Sequence, residues 1–337
     1  MYVIWKAYLQ INLIAQDLAF ESSIIMRITI ASPCCYAAVG KKENQEDSLF
    51  PLKGNATADT RVFMVCDGMG GHENGEVASA CVAETMGRLT AQQPLGTTSE
   101  MQNAFEKALQ ETYQQLDLLD KSDSIRKMGT TLTFLALCTD GVLVAHIGDS
   151  RVYQVRPEQG VVFQTRDHSL VNDLVAIGEL TEEQAKTYPH RNIITRAIQP
   201  HQELPAKATF KVLTDVRKGD LFFLCSDGVI EKLEDDLCQI LTEKLPLEKR
   251  LEKLKQEALQ RDTRDNNSAY LIEVTEVSGA SMEAEIQSDS TTQQDETNPK
   301  IVDTDKKSRP NWLRWFFLLL TILALALAAF FMMKAKG

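Results

Sequence analysis

The chain of 337 residues is 44% hydrophobic and 25% charged, a composition typical of a folded globular protein with a sizeable core. Its formal net charge of −11 argues against a nucleic-acid partner, because phosphate backbones are bound by lysine and arginine. The seven cysteines contain no C-x-x-C pair and fit neither a disulfide framework nor a zinc site.

The first 25 residues are moderately apolar but are interrupted by Lys6, Asp17 and Glu21. They lack the continuous apolar region and the small-residue cleavage site of a signal peptide. Met26 opens a strand-like run, RITIAS. Two interpretations of residues 1–25 stay open: Met26 is the true start, or the segment is a loosely packed extension of a domain that covers residues 26–277.

Short segments rich in Val, Ile, Phe and Tyr, bounded by turn residues, predict a body with many strands. The predicted strands cover residues 61–66, 130–137, 142–147, 152–155, 209–213, 221–225 and 269–274. Asp140 and Gly141 lie between two of these segments and predict a tight hairpin turn. The pattern as a whole indicates mostly antiparallel pairing.

Amphipathic helices are predicted between the strands. Ser99 to Gln102 matches a capping box, and apolar residues then recur every three or four positions on one face. That face consists of Met101, Phe105, Ala108, Thr112, Leu116 and Leu119. A second pair of helices is predicted at 234–245 and 247–260, separated by Pro246. Because each helix must bury one stripe, we expect an α+β fold in which two packed sheets carry helices on their outer faces.

The C-terminal region predicts a tether and a membrane anchor. Residues 278–311 are mostly polar and acidic, which is typical of a disordered linker. Residues 315–333 carry no charge and approach the roughly 20 residues that cross a bilayer as a helix, so residues 312–334 are predicted to be a transmembrane anchor. Four basic residues precede this span and predict that the N-terminal body is cytoplasmic. A buried helix of a soluble core is the alternative interpretation.

Acidic residues stand at the ends of several apolar runs. The pairs are Glu46-Asp47, Asp67-Gly68, Asp149-Ser150, Asp227-Gly228 and Asp265-Asn266. Each pair alone is a common turn sequence, so a purely structural role is one interpretation. If the strand ends meet in space, so many carboxylates are tolerated only beside a cation, and oxygen ligands favour Mg²⁺ or Mn²⁺. Two such ions close together would suit the hydrolysis of a phosphate ester.

The ordered motifs of the chain resemble those of the metal-dependent serine/threonine phosphatases of the protein phosphatase 2C family, in their bacterial form. The matching segments are GKKENQEDS (40–48), VCDGMGGHENGEVAS (65–79), MGTTLTFLAL (128–137), VAHIGDSRVY (144–153), TRDHSLV (165–171), RNIITRAI (191–198), FFLCSDGV (222–229) and TRDNNSAYLIEV (263–274). The resemblance implies an α-β-β-α sandwich with a two-metal cleft at one edge. It also implies that a water or hydroxide bridging the two metals is the nucleophile.

The resemblance further implies roles for individual residues. Asp67 should bridge the two metals, and the backbone carbonyl of Gly68 should bind one of them, which the missing side chain would permit. The other implied ligands are Asp227 and Asp265 for the second ion, Glu46 and Asp47 close by and partly through waters, and Asp149 for a third, weaker metal. Residues 171–200 should form a mobile flap that shapes substrate choice.

Three positions leave the contacts to the phosphate and to the leaving group open. Lys42 stands where the family commonly has an arginine that grips the phosphate, and lysine loses the two-pronged geometry. Met69 fills the place of a histidine proposed as the general acid in animal relatives, so a metal-bound water is the first choice as proton donor. His72 is the alternative donor, although capping of the following helix is the favoured role. His146 is expected in the core, and His168 is expected to brace the flap through hydrogen bonds.

Three functions compete at this point. The full set of acidic positions favours an active Mn²⁺- or Mg²⁺-dependent phosphatase that acts on phosphorylated proteins and opposes a serine/threonine kinase at the membrane. A non-catalytic protein that sequesters phosphoproteins or a kinase has Lys42 as its support. A nucleotide-binding module, suggested by the glycines of residues 65–78, lacks both the G-x-x-x-x-G-K-[ST] and the G-x-G-x-x-G motif.

Overall fold

The computed structural model describes residues 24–70, 74–121 and 128–281, and two antiparallel sheets form the centre of this part. The strands in chain order are β1 (Ile24–Ile30), β2 (Cys34–Ala38), β3 (Asp47–Phe50), β4 (Val62–Met69), β5 (Gly129–Thr130), β6 (Leu132–Cys138), β7 (Gly141–Ile147), β8 (Arg151–Arg156), β9 (Gly160–Gln164), β10 (Thr209–Leu213), β11 (Leu221–Cys225) and β12 (Asn267–Ser281). The first sheet has the order β1-β12-β11-β8-β9, with β2 also paired to β12. The second has the order β10-β7-β6-β4-β3, with β5 paired to β4.

Helices cover the outer face of each sheet. In chain order, those of the described residues are α1 (Gly75–Ala91), α2 (Thr98–Leu119), α3 (Leu170–Ala176), α4 (Glu182–Thr187), α5 (Asp227–Leu233), α6 (Leu237–Leu241) and α7 (Leu247–Gln260). Helices α1 and α2 share a buried apolar cluster with the second sheet. Helices α5, α6 and α7 share another with the first sheet.

Strand β4 shows why the central strands are apolar along their whole length. Val62, Met64 and Cys66 point into the cluster shared with α1 and α2. Phe63 and Val65 point the other way, into the cluster between the two sheets. Because successive side chains alternate between faces and both faces are covered, nearly every position is apolar. These four layers confirm the predicted α-β-β-α sandwich.

Two of the predicted helix boundaries are wrong. Helix α2 begins after Thr97, whose side chain forms a capping box with Glu100, so Ser99 is not the cap. The helix predicted at 234–245 forms only in part, because α6 covers Leu237–Leu241 and α5 ends before the predicted segment, at Leu233. Leu233 and Leu237 both enter the same core cluster, and the chain turns between them. The helix predicted at 247–260 is confirmed as α7.

The predicted hairpin is confirmed, with its turn one residue earlier than expected. Cys138 pairs with Gly141, so Thr139 and Asp140 form the loop, and Gly141 has a φ of +150°. The Asp140 carboxylate accepts hydrogen bonds from the backbone N–H of Thr98 at 2.7 Å and from its hydroxyl at 2.9 Å. This Asp-Gly pair therefore has a structural role, which is to fix the start of α2.

Strand β12 is longer than the sequence predicts. Its last residue, Ser281, pairs with Ile24 at the start of β1, so the strand continues four residues into the segment predicted as a linker. The extension exists because β1 supplies its hydrogen-bond partners. The remaining linker, the predicted anchor at 312–334 and residues 1–23 lie outside the described residues. No helix within the described ranges is both long and apolar enough to cross a bilayer.

Candidate active site

Four of the acidic residues meet at one end of the sandwich. Asp47 of β3 pairs directly with Asp67 of β4 in the second sheet. In the first sheet, Asp227 follows β11 and begins α5, and Asp265 stands two residues before the neighbouring strand β12. The carboxyl groups of Asp67 and Asp227 lie close enough to shift each other's pKa. The strand ladders therefore bring carboxyl groups from both sheets to one site.

The carboxyl groups of this site strongly perturb one another. Burial, together with the carboxylates of Asp47, Asp227, Asp149 and Asp265, raises the pKa of Asp67 well above the usual range. Burial raises the pKa of Asp47 to about 7. Burial and the neighbouring Asp227 raise the pKa of Asp149 to about 7. Desolvation and like-charge repulsion both disfavour the ionised form, so a cation at this site would stabilise all of these carboxylates.

Two buried carboxylate oxygens of the site have no hydrogen-bond partner, namely Oδ1 of Asp47 and Oδ1 of Asp227. The second oxygen of Asp47 accepts a hydrogen bond of 2.8 Å from the Ser226 hydroxyl, which orients the side chain. A buried oxygen without a partner is costly, and a bound cation would remove that cost. The candidate metal ligands are carboxylate and carbonyl oxygens, which are the ligands that Mg²⁺ and Mn²⁺ prefer.

The carboxylates do not converge on a single point. Across the described parts of the chain, no group of three or more His, Cys, Asp or Glu side chains is arranged to hold a metal ion as it stands. Instead, Lys42 Nζ lies 3.0 Å from Asp265 Oδ1 and 3.7 Å from Glu46 Oε2. The ammonium group thus supplies positive charge to the site. The residues fit an oxygen-bound cation by their chemistry and burial.

Gly68 lies where two backbone segments approach each other closely. Its N–H donates a hydrogen bond of 3.1 Å to the carbonyl of Glu46. A Cβ atom at this position would lie 2.3 Å from the carbonyl oxygen of Gly75 and 2.4 Å from that of Glu46. Close packing therefore requires glycine here, independently of the predicted contact between its carbonyl and a metal.

Two buried hydroxyl groups beneath the site were missed in the sequence analysis. Thr131 Oγ1 accepts a hydrogen bond of 3.0 Å from the Asp67 N–H and lies 2.7 Å from Ser150 Oγ, so it links the strand of Asp67 to the loop of Asp149. Ser226 orients Asp47, as described above. Both residues lie within the motifs that carry the resemblance, but a hydroxyl beside a turn has no pattern that reveals its partner.

Two stacked histidines lie at the base of the flap segment. The rings of His146 and His168 are 4.4 Å apart with an interplanar angle of 12°, and both residues are buried. His168 Nδ1 accepts a hydrogen bond of 3.1 Å from the Gly148 N–H, and its Nε2 lies 2.8 Å from Thr209 Oγ1. Burial and the neighbouring His146 lower the pKa of His168 to about 3. His168 also contacts the flap segment directly: the Thr195 N–H donates a hydrogen bond of 2.8 Å to the His168 carbonyl, and Arg196 Nη1 lies 3.3 Å from His168 Nε2. These contacts agree with the expected bracing role, whereas His72 lies outside the described residues.

The predicted flap segment, 171–200, contains α4 and most of α3 and is tied down near both ends. Thr130 and Ile198 form a single β-bridge. Before the segment begins, Arg151 forms a two-pronged ion pair with Asp167, in which both N···O distances are 2.7 Å. The α3 region between these attachments carries exposed apolar surface, since Ile177 is 73% exposed.

The sequence and the fold have counterparts among known proteins. The family model of protein phosphatase 2C matches residues 36–265. Protein phosphatase PhpP of Streptococcus pneumoniae is 32% identical over 239 residues, which cover 71% of this chain and 95% of that relative. The solved serine/threonine phosphatase of S. agalactiae is 30% identical, with a TM-score of 0.63, and the match covers 74% of this chain and 99% of that one. The catalytic domain of the phosphatase PstP, solved in complex with 2 manganese ions, has a TM-score of 0.58 and 26% identity and covers 75% of this chain and 100% of that one. The chain therefore belongs to the protein phosphatase 2C family and is an enzyme, a serine/threonine protein phosphatase.

Proposed function

We propose that this chain hydrolyses phosphoserine and phosphothreonine in proteins with two Mn²⁺ or Mg²⁺ ions, and that a third ion binds more weakly. The observation that carries this proposal is the buried group of carboxylates in which Asp47 and Asp227 each keep one oxygen without a partner. A protein that only needed a turn at these positions would have no reason to bury unpaired carboxylate oxygens.

Each acidic residue has a proposed place in this chemistry. The two ions would be held by Asp67, Asp227, Asp265 and the backbone carbonyl of Gly68, with Glu46 and Asp47 close by, and Asp149 would hold the third ion. When bound, such ions supply positive charge to the transferred phosphoryl group and lower the pKa of a water molecule. Ser226 and Thr131 hold Asp47 and the backbone of Asp67 in place through the hydrogen bonds described above.

Lys42 is proposed to bind the substrate phosphate. Its ammonium group is partly exposed and lies among the carboxylates, 3.0 Å from Asp265. A lysine that pairs with Asp265 in the free protein can exchange this carboxylate for a phosphate oxygen. Because an ammonium group is a point charge without the fork of a guanidinium group, it would attract the phosphate without fixing its orientation.

The enzyme is proposed to work at a membrane, against a serine/threonine kinase. The support for this is the uncharged run at 315–333 and the basic residues before it, which favour a cytoplasmic catalytic domain. Membrane fractionation of the full chain and of a chain ending at residue 281 tests this proposal. The full chain should stay in the membrane pellet in alkaline carbonate and the shortened chain should not; equal release of both would contradict the anchor.

Replacement of Asp67 by asparagine tests the proposed chemistry. Asp67→Asn should reduce the Mn²⁺-dependent hydrolysis of a phosphothreonine peptide by at least about 100-fold, because it removes a charge that the ions require. The matched control is Asp140→Asn, since Asp140 also precedes a glycine but contacts α2 at the hairpin. Hydrolysis that survives either Asp67→Asn or EDTA would exclude the proposed metal chemistry. Binding of the phosphopeptide by the wild type without any turnover would favour the non-catalytic alternative.

A further inference from the structure

The side chain of Asn266 spans the loop that carries Lys42. Asn266 is 1% exposed. Its Oδ1 accepts a hydrogen bond of 2.7 Å from the Glu46 N–H. Its Nδ2 donates to the carbonyls of Val39 at 2.8 Å and Asn44 at 2.9 Å. Since Val39 and Glu46 lie at the two ends of the loop 39–46, one side chain holds both ends together.

The loop is also pressed against the backbone that precedes β12. Gly40 has a φ of +64°, and a Cβ atom there would lie 2.1 Å from the carbonyl oxygen of Asp265. The Lys41 N–H donates a hydrogen bond of 3.3 Å to the carbonyl of Arg264. The position of Lys42 therefore depends on the segment 264–266.

Glu46 connects this loop to the strand of Asp67. Its N–H is held by Asn266, and its carbonyl accepts the hydrogen bond from Gly68 described above. From the same loop, Lys42 Nζ reaches to within 3.0 Å of Asp265. Asn266 thus stands where the loop, the start of β12 and the end of β4 join.

We infer that Asn266 is a positioning residue that fixes Lys42 for binding of the substrate phosphate; the inference rests on the function proposed above for Lys42. The loop presents one N–H and two carbonyl groups to the side chain. A neutral primary amide matches this set, because it offers an acceptor and two donors. An aspartate at position 266 would keep the size but lose both donors, and would place a carboxylate against the carbonyls of Val39 and Asn44.

The first test compares Asn266→Asp with the wild type on a phosphothreonine peptide at saturating Mn²⁺. KM should rise about tenfold, while kcat should change by less than about threefold, because the loss falls on substrate binding. In the Lys42→Ala background, the same Asn266→Asp change should alter KM by less than about twofold, because the residue it positions is gone. Asn266→Ala, which removes the acceptor and both donors without adding a charge, should behave in the same way.

The second test does not depend on activity or on bound metal. Hydrogen–deuterium exchange of the peptide covering residues 39–46 should be faster in Asn266→Asp than in the wild type. The matched control is Gln154→Glu, because Gln154 is also a buried side-chain amide but belongs to another network. Its Nε2 donates hydrogen bonds to the backbone carbonyl of Asp215 and to the carboxylate of Asp220. This control should leave KM and the exchange of residues 39–46 unchanged.

Three results would overturn the inference. One is an equal increase in KM on Asn266→Asp with and without Lys42, which would indicate an independent role. Another is unchanged exchange of residues 39–46 in both Asn266 variants. The third is an unchanged KM in Lys42→Ala alone, which would remove the phosphate role of Lys42 while leaving the proposed metal chemistry to the Asp67→Asn test.

Discussion

Replacing Gly68 with alanine would place a methyl carbon where two backbone carbonyl oxygens already lie. The distances from this carbon to the oxygens of Gly75 and Glu46 would be 2.3 and 2.4 Å, whereas real Cβ contacts are essentially never shorter than 3.0 Å. The backbone must therefore move by about 0.7 Å, the difference between 2.3 and 3.0 Å. Overpacking of this kind costs about 1–3 kcal/mol, and we expect the upper half of that range because neither obstacle is a flexible side chain.

The same displacement should impair catalysis more strongly than stability. Gly68 follows Asp67 directly, and its neighbours are Glu46 and the first residue of α1. Since a misplacement of about 1 Å in an active site can cost about 100-fold in rate, we expect a loss of this order in kcat/KM on a phosphothreonine peptide. Urea unfolding followed by circular dichroism measures the loss of stability.

Gly70 provides the control within the same glycine-rich stretch. A Cβ atom at Gly70 would lie 3.4 Å from the nearest atom, the Gly75 nitrogen, and the φ of Gly70 is not in the left-handed region. Gly70→Ala should therefore change the free energy of unfolding by no more than about 0.5 kcal/mol. Equal stability and activity of Gly68→Ala and Gly70→Ala would refute the argument from close packing.

Two further predictions concern the histidine pair and the hairpin. The pKa of His168 is about 3 in the folded chain against a usual value of 6.5, so unfolded chains bind this proton first, and the contribution of His168 to stability is lost as the pH is lowered below 6.5. His168→Gln should flatten this pH dependence in urea titrations, whereas His190→Gln, at an exposed position, should keep it; identical slopes in all three proteins would contradict the assignment. Asp140→Ala should cost about 1–2 kcal/mol in unfolding free energy, because it removes both hydrogen bonds to Thr98 at the start of α2, with kcat/KM unchanged. A stability within experimental error of the wild type would show that the carboxylate does not fix this helix.

Much of the architecture follows from local patterns in the sequence. The apolar run at 61–66 predicts β4 because a strand buried on both faces needs apolar residues at successive positions, and the periodic face of 101–116 predicts α2. The boundaries were less accurate. Thr97 and Ser99 each have a possible capping-box partner three residues later, Glu100 and Gln102. The structure chooses Thr97 because this residue has the extended backbone of an N-cap, whereas Ser99 is already helical.

The acidic positions themselves can be predicted from the sequence, since aspartates at the ends of apolar strands are visible along the chain. Asp140 shows the limit of that reasoning, because it stands in the same kind of pair as Asp67 and yet binds the start of a helix. The difference lies in which strand ends are brought together by the ladders, and a single Asp-Gly pair contains no information about that.

By itself, the sequence determined the layers of the sandwich, the acidic strand ends and the family resemblance, because these depend on residue type and spacing. Only the tertiary structure decided that Gly68 is enclosed by two carbonyl groups, that β12 continues to Ser281 beside β1, and that Asn266 holds the Lys42 loop. Asn266 and Glu46 are 220 residues apart along the chain. Contacts at such a separation arise when the sheets pack and leave no periodic pattern in the sequence that could predict them.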